Sequence, residues 1–440
     1  MFFKVENKQM KIFNYALIVW FSWSLFQFIL STFWDLEVNE LFKPLMEYRW
    51  IRIFCWIFEN SGTTQPVLFY YIIVSIFAES LAVWCRTNKK WYWWIWVYYA
   101  CAIILFVAFQ VKNYLAYTNL DDGFGPDISA WFFESYSTGR KIIVTLALID
   151  SIILSISLYY LRFKFSHRKD VIENAYLLRA FKTFLSALSL NISVWVLKLT
   201  FLRPYYYQTD FNDILNNENL VSPEWKDYYL SKGHEIMNWG LGELGDQSVP
   251  FVPWYSIYDF PDGWVNFLTG KRGDAGWGLL YADFPSGHMA ATYSVFFAMV
   301  FFYDKNNHKK YTKRYIFMFS FWMFYLNLVF YTQLISKTHW LSDLEFTIIV
   351  GIFWPIFINR LINKIAFRTI SKFNNKKNIE NKAIAIINKN TYYFIFYHYN
   401  NRYIIKKSFY FKNNFNTKKL ENFKKRYYIK KLEIIKTEKN

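Results

Sequence analysis

Apolar runs long enough to cross a bilayer recur along these 440 residues, separated by short basic segments and longer acidic ones. A hydrocarbon core about 30 Å thick takes roughly 20 helical residues. Eight runs approach or exceed that length: 12–34, 66–86, 91–110, 141–161, 179–202, 287–303, 315–335 and 341–362. In lipid a chain must satisfy its backbone polar groups internally, so the pattern predicts an all-α integral membrane protein of about eight transmembrane helices. The first run is too long for a signal-peptide core and lacks a small-residue cleavage site, so it is expected to stay in place.

Charge in the short connections sets an expected orientation, because Lys and Arg are retained on the cytoplasmic side. Arg86, Lys89 and Lys90 lie between runs two and three, Arg162, Lys164, Arg168 and Lys169 between four and five, and Lys305, Lys309, Lys310, Lys313 and Arg314 between six and seven. These alternate consistently with a cytoplasmic N-terminus and C-terminal tail in the cell membrane. The segment 205–288, expected on the outer side, carries 12 carboxylates against 4 Lys and Arg.

Composition then changes the picture in one respect. The net charge of +18 would suggest a nucleic-acid binder, but residues 360–440 hold 21 Lys and Arg against 4 Asp and Glu. Nearly all the excess is therefore a basic tail, expected to associate with the anionic inner leaflet, and nucleic acid is not an expected partner. The stretch Thr391 to Phe411 is unusually aromatic for a disordered segment. Partial order there is one reading and biased composition is the other. Three scattered cysteines, Cys55, Cys85 and Cys101, offer neither a disulfide framework nor metal-ligand spacing. The chain has no Gly-rich phosphate loop and no His-Glu-x-x-His, which leaves nucleotide-driven and zinc-hydrolase chemistry unsupported.

Polar residues gather at three expected outer helix ends. The first is Lys198-Leu-Thr-Phe-Leu-Arg203-Pro204, where two cations close an apolar run; snorkelling to the interface is the ordinary explanation. The second is Asp283-Phe-Pro285-Ser286-Gly287-His288. Pro285 and Ser286 suit a helix start, whose free N–H groups favour an anion, and Gly287 permits close approach. His288 brings a proton that moves near neutral pH. The third contains Gln333, Lys337, His339 and Asp343. His339 and Asp343, four apart, share a helix face, so the carboxylate can fix the imidazole tautomer; a local cap is the alternative.

Together these segments resemble the type 2 phosphatidic acid phosphatase superfamily of lipid phosphatases and related phosphotransferases. Pro285 to His288 matches its Pro-Ser-Gly-His, and His339 with Asp343 matches the His and Asp of its third motif. The resemblance covers roughly 91–363 and implies a six-helix phosphatase-like core there with a long outer loop at 205–284. A two-span extension at 1–90 precedes it, and the basic tail at 364–440 follows. It further implies that His339 is the nucleophile, that Asp343 orients it, and that His288 protonates the leaving alkoxide and then activates water. Lys198, Arg203, Ser286 and Gly287 would hold the phosphate oxygens, with no cofactor or metal required. Two departures stand out. Gln333 occupies the family's Arg position, so Lys337 is the candidate replacement, and Lys198 precedes Arg203 by five residues where the family has seven. Tyr205 is the alternative occupant of the Arg register.

The expected activity is removal of phosphate from a lipid phosphate monoester or pyrophosphate. Two alternatives stay open: transfer of a phosphorylated head group to a lipid acceptor, and a catalytically weakened scaffold or transporter. Glu79 and Asp150 are intramembrane carboxylates, read either as functional or as hydrogen-bonded to a neighbouring helix. His167, His234, His308 and His398 have no partner that the sequence identifies. Lys271 and Arg272 are expected to contact substrate or loop carboxylates.

Overall fold

A computed structural model describes residues 8–87, 89–116, 136–168, 176–210, 250–257, 260–269, 283–301 and 308–376, four tail strands, and a few positions between 171 and 223. Lys271, Arg272, His234 and His398 lie outside the described residues. The elements are α1 (Lys8–Glu40), α2 (Arg49–Thr87), α3 (Trp94–Ala116), α4 (Tyr136–Phe163), α5 (Tyr176–Phe201), α6 (Tyr206–Thr209), α7 (Asp262–Thr269), α8 (Gly287–Phe296), α9 (His308–Ile335) and α10 (Leu341–Lys376). Strands β1 (Asn381–Asn388), β2 (Thr391–Tyr397), β3 (Ile404–Tyr410) and β4 (Ile429–Lys436) follow.

The membrane part is all helical, as the apolar pattern dictates. Among the described residues, seven helices are long and apolar enough to cross a membrane: α1, α2, α3, α4, α5, α9 and α10. The expected span at 287–303 is the exception. Its ten α-helical residues rise about 15 Å, and the 3₁₀ segment Phe297–Phe301 adds about 10 Å up to the last described residue before α9. The chain is thus a multi-pass membrane protein. Outward-facing positions such as Ile104, Leu105 and Val107 on α3 and Ile152 and Ile156 on α4 are exposed and apolar, as a lipid-facing surface requires.

By internal packing the chain divides into two compact units. The first comprises 1–72, 97–157 and 186–354. Here α8 sits against both α1 and α10. Trp20 of α1 stacks on Tyr293 of α8, and a Cβ on Gly351 of α10 would fall 2.6 Å from the Tyr293 ring, so only glycine admits that contact. Phe21 and Phe28 of α1 pack edge-on or tilted against Phe353 and Phe346 of α10. Polar side chains bridge helices where lipid offers no partner: Asn191 of α5 donates to Ser294 of α8 at 3.0 Å, and Trp354 donates to Ser189 at 2.9 Å. Asp150 is bonded by Gln65 at 3.0 Å. This is the neighbouring-helix hydrogen bond expected of it. Cys55 is buried within α2.

The second unit comprises 73–96, 158–185 and 355–440. Glu79 pairs with Arg162 at 3.4 Å, a cation in place of the expected neutral partner. Arg162 also lies 4.4 Å from the Trp96 ring. His167 lies beside Ser166, whose Oγ is 3.1 Å from its Nδ1. The tail forms a sheet of order β3-β2-β1-β4, antiparallel except where β1 runs parallel to β4. The β-branched and aromatic run Thr391–Tyr397 supplies β2, so the aromatic stretch is a strand with defined partners.

Candidate active site

Four segments of the first unit converge: the end of α5, the start of α8, the turn between α9 and α10, and the kinked end of α1. Helix α5 stops at Phe201 because Leu202 takes φ +46°, a left-handed conformation that turns the chain out of the helix. Lys198 therefore lies on the last helical turn while Arg203 lies beyond it. Their five-residue spacing is not a helical one, and both reach the site. The Arg203 carbonyl accepts from Asp283 N–H at 2.9 Å, tying this turn to the segment that opens α8.

Ser286 caps α8, its Oγ accepting from Met289 N–H at 3.2 Å. The same hydroxyl donates to Gln333 Oε1 at 3.0 Å, and Ser286 N–H donates to the Asp343 carbonyl at 3.3 Å. Ser286 is thus a fully buried junction between α8, α9 and α10. Gly287 faces Lys198, whose Cε lies 3.4 Å from where a Cβ would sit. Lys198 Nζ donates to the Asp283 carbonyl at 3.0 Å and stands 5.6 Å from the Tyr205 ring.

At the α9–α10 turn, Lys337 takes φ +62°. That residue turns to Asp210 and bonds its carboxylate, while Lys43 holds the other Asp210 oxygen at 2.6 Å. The turn brings His339 to within 5.8 Å of His288, ring centre to ring centre, at 68° between planes. Tyr205 lies 5.7 Å away on another side. His339 is buried, at 2% exposed, and His288 is half-buried.

The carboxylates are arranged differently from the family pattern. His339 Nδ1 contacts Asp283 Oδ1, whereas Asp343 Oδ2 is 4.0 Å away. Asp343 is engaged elsewhere. Its Oδ1 accepts from Arg203 Nη1 at 2.7 Å and its Oδ2 from Trp340 N–H at 3.2 Å. Arg203 is fully buried and also donates to Asp35 Oδ2 at 2.8 Å, Ser342 Oγ at 2.6 Å and the Val252 carbonyl at 2.8 Å, with its guanidinium 4.7 Å from the Trp340 ring. All five expected anchors other than Lys337 therefore line one buried cluster, although Arg203 is spent on protein carboxylates.

Burial dominates the titration of these groups. It pushes His339 down to about 3, reinforced by Lys198, and His288 down to about 3, reinforced by His339 and Lys198. It pushes Asp283 up to about 7 against the opposing pull of Asp343, Lys198 and Arg203. Burial also lowers Lys337, with Asp210 opposing; for Arg203 burial works downward too, but Asp343 and Asp35 more than offset it, so the guanidinium is held charged. The resting site thus holds two neutral imidazoles. With Nδ1 turned to Asp283, Nε2 is the nitrogen of His339 available to a substrate.

Asp283, His339 and Asp343 each place one ligand atom within 4.8 Å of the others, a grouping that could also accept a metal ion. Lys198 and Arg203 beside it raise the cost of a further positive charge there. Sequence reasoning missed Asp35, Asp283, Asp210 and Lys43 as parts of the site. The only signal for Asp283 was its place two residues before Pro285, and for Asp35 its position as the first carboxylate after a long apolar run.

The PAP2 superfamily model matches residues 179–366, the segment that holds all three motif regions. That match supports a phosphatase or phosphotransferase type of activity. The chain is also 27% identical over 366 residues to an uncharacterised protein of Mycoplasma capricolum subsp. capricolum, a match covering 78% of this chain and 92% of that one. No solved structure matches.

Proposed function

We propose that the chain removes phosphate from a lipid phosphate monoester or pyrophosphate on the outer face of the cell membrane, through a phosphohistidine on His339. The observation that carries this reading is the pair of facing histidines at adjacent helix starts, one of them buried with its Nδ1 against a carboxylate. Nε2 of His339 attacks phosphorus, the phosphorus–oxygen bond breaks, and its electron pair leaves on the alkoxide, which takes a proton from His288. Because His288 is neutral at rest, that proton arrives with the phosphate, whose negative charge raises the basicity of the imidazole. In the second step His288 accepts a proton from water as it attacks, and the phosphorus–nitrogen pair returns to His339. Lys198 and the Gln333 amide serve as donors to the phosphate oxygens. Among the described residues Gln333 Nε2 is buried with no hydrogen-bond partner, so it is a donor awaiting an acceptor.

A second reading, head-group transfer, is favoured by one observation. Arg203 and Lys337 have their charge answered by Asp35, Asp343 and Asp210, which suits a diester with one negative charge better than a dianion. Purified full-length protein assayed on phosphatidic acid decides between them. Hydrolysis predicts chelator-insensitive phosphate release that is lost in His339→Ala. Transfer predicts an acceptor-dependent product without free phosphate, and neither product would end both readings.

A further inference from the structure

Helix α1 lies outside the segment matched by the family, yet it sends one carboxylate into the centre of the site. The helix is kinked at Trp34, whose φ of −133° and ψ of 35° leave the helical range, and Asp35 is the next residue. Asp35 is 3% exposed. Its Oδ2 accepts from Arg203 Nη2 at 2.8 Å and from Ser342 Oγ at 2.5 Å, and its Oδ1 accepts from Ser342 N–H at 3.1 Å. Ser342 stands in the first turn of α10, three residues after His339 and next to Asp343. A carboxylate at a helix N-terminus satisfies an orphan N–H and suits the dipole. Here that carboxylate comes from another helix.

We infer that Asp35 is a positioning residue: it fixes Arg203 and the first turn of α10, and through them sets Asp343 and His339 for reaction. The inference rests on the phosphohistidine reading for its effect on rate, while its structural half stands without it. Arg203 has two carboxylate partners on opposite arms of the guanidinium, Asp35 on Nη2 and Asp343 on Nη1. With Asp35 gone, Arg203 would keep Asp343 but lose the fork that holds both in one plane. Asp35 touches no atom expected to react, so its loss should leave substrate binding largely alone. The N-terminal extension is then part of the frame that positions the site, supplying a contact that residues 179–366 lack.

The test uses the full-length chain in detergent micelles with phosphatidic acid as probe, comparing wild type, Asp35→Asn, Arg203→Gln and the double variant. Asp35→Asn leaves Arg203 paired with Asp343, so it creates no unpaired buried charge. The expected result is a kcat loss of about 10- to 100-fold with KM within about twofold. The double variant should lose less than the product of the single losses, because both act through one unit. Wild-type kcat in Asp35→Asn, or losses that multiply, would overturn the inference. Should Asp35→Asn fold poorly, Ser342→Ala removes one of the three contacts and should show a smaller kcat loss at unchanged KM; no loss there would count as refutation. If wild type releases no phosphate, the phosphatase reading fails separately. Amide exchange then decides: Ser342 and Asp343 must exchange at least about tenfold faster in Asp35→Asn, and unchanged protection refutes the inference.

Discussion

The segments that carry the histidines and those that carry the cations lie in the same buried cluster but are built on opposite terms. His288 and His339 sit at the starts of two helices, neutral, facing one another, with Tyr205 beside them. Arg203 and Lys337 are charged and already answered, the first by Asp35 and Asp343, the second by Asp210. Nε2 of His339 has thus been left to the substrate, its Nδ1 held by Asp283, while two of the cations have been built into the frame. Positive charge near a phosphate site is not by itself positive charge available to phosphate. What the cations do here is hold loops and helix starts in place, and two of the three carboxylates that recruit them for that work, Asp35 and Asp210, lie outside the recognised motifs.

That contrast predicts unequal losses. His339→Ala should lower kcat by on the order of 10³-fold or more, with no acid-labile phosphoenzyme trapped after rapid quench. Persistence of the labelled intermediate would move the nucleophile elsewhere. Arg203→Ala should cost activity mainly by unfolding the site. It strands Asp35 and Asp343 without a counter-charge, a penalty of about 3–5 kcal/mol, visible as a lower thermal midpoint. An Arg203→Ala protein with wild-type stability and a raised KM alone would instead make Arg203 a direct phosphate ligand.

The pH dependence follows from Asp283. Below about 7 its carboxyl is protonated, the oxygen facing His339 carries a hydrogen, and Nδ1 must accept, which puts the ring proton on Nε2. Above 7 the carboxylate accepts from Nδ1–H and Nε2 is free. So kcat/KM should rise roughly tenfold per pH unit up to about 7 and then level. Asp283→Asn should abolish the rise. A bell with both limbs between pH 5 and 8 would mean that His288 carries the essential proton in the free protein. Stability runs the other way. The folded-state value of Asp283 is raised above its ordinary 3.8, so its contribution is full below that value and is lost as pH climbs through 7. The two histidines, depressed from 6.5 to about 3, contribute above 6.5 and lose that contribution as pH falls toward 3.

Much of this was legible in the chain. Seven of eight apolar runs became spanning helices because a 20-residue apolar run in lipid has one backbone solution. The run at 287–303 is instead a short α-helix that ends at Phe296 and continues as a 3₁₀ segment, because hydropathy does not show where a helix tightens. The motif residues at 286–288 and 339–343 could be read because local spacing and helix-start chemistry define them. Asp35, Asp210 and Lys43 could not. Their partners lie 168, 127 and 167 residues away in the chain, and nothing local distinguishes a carboxylate at the end of an apolar helix from one meeting solvent. The tail sheet escaped for a related reason, since β1 pairs in parallel with β4 across more than forty intervening residues.

Gln333 tests how far the site compensates for its missing guanidinium. Its Oε1 is occupied by Ser286 and its Nε2 is unpartnered. Gln333→Ala should therefore remove one phosphate donor and also leave the Ser286 hydroxyl without its acceptor. A loss of about 1–3 kcal/mol in kcat/KM is expected, read mostly in KM. If the Ala variant keeps its KM, the amide serves the helix junction alone and Lys198 is left to bind phosphate with backbone groups.

The smallest effect is expected at Lys337, the residue the sequence offered as a stand-in for the absent arginine. Its ammonium is turned to Asp210, and the Lys337 carbonyl accepts from Tyr207 N–H at 2.9 Å. Lys337→Ala keeps that backbone bond, and Asp210 retains Lys43, so no carboxylate is stranded. Stability should fall by about 1–2 kcal/mol through the lost charged hydrogen bond, while kcat/KM stays within about threefold of wild type, a difference of under 1 kcal/mol. A loss of a hundredfold at unchanged stability would show that Lys337 leaves Asp210 when substrate binds and supplies the missing positive charge itself. In that case the cations of this site are exchangeable between frame and phosphate, and the division between the two sets of segments would hold only for the resting protein.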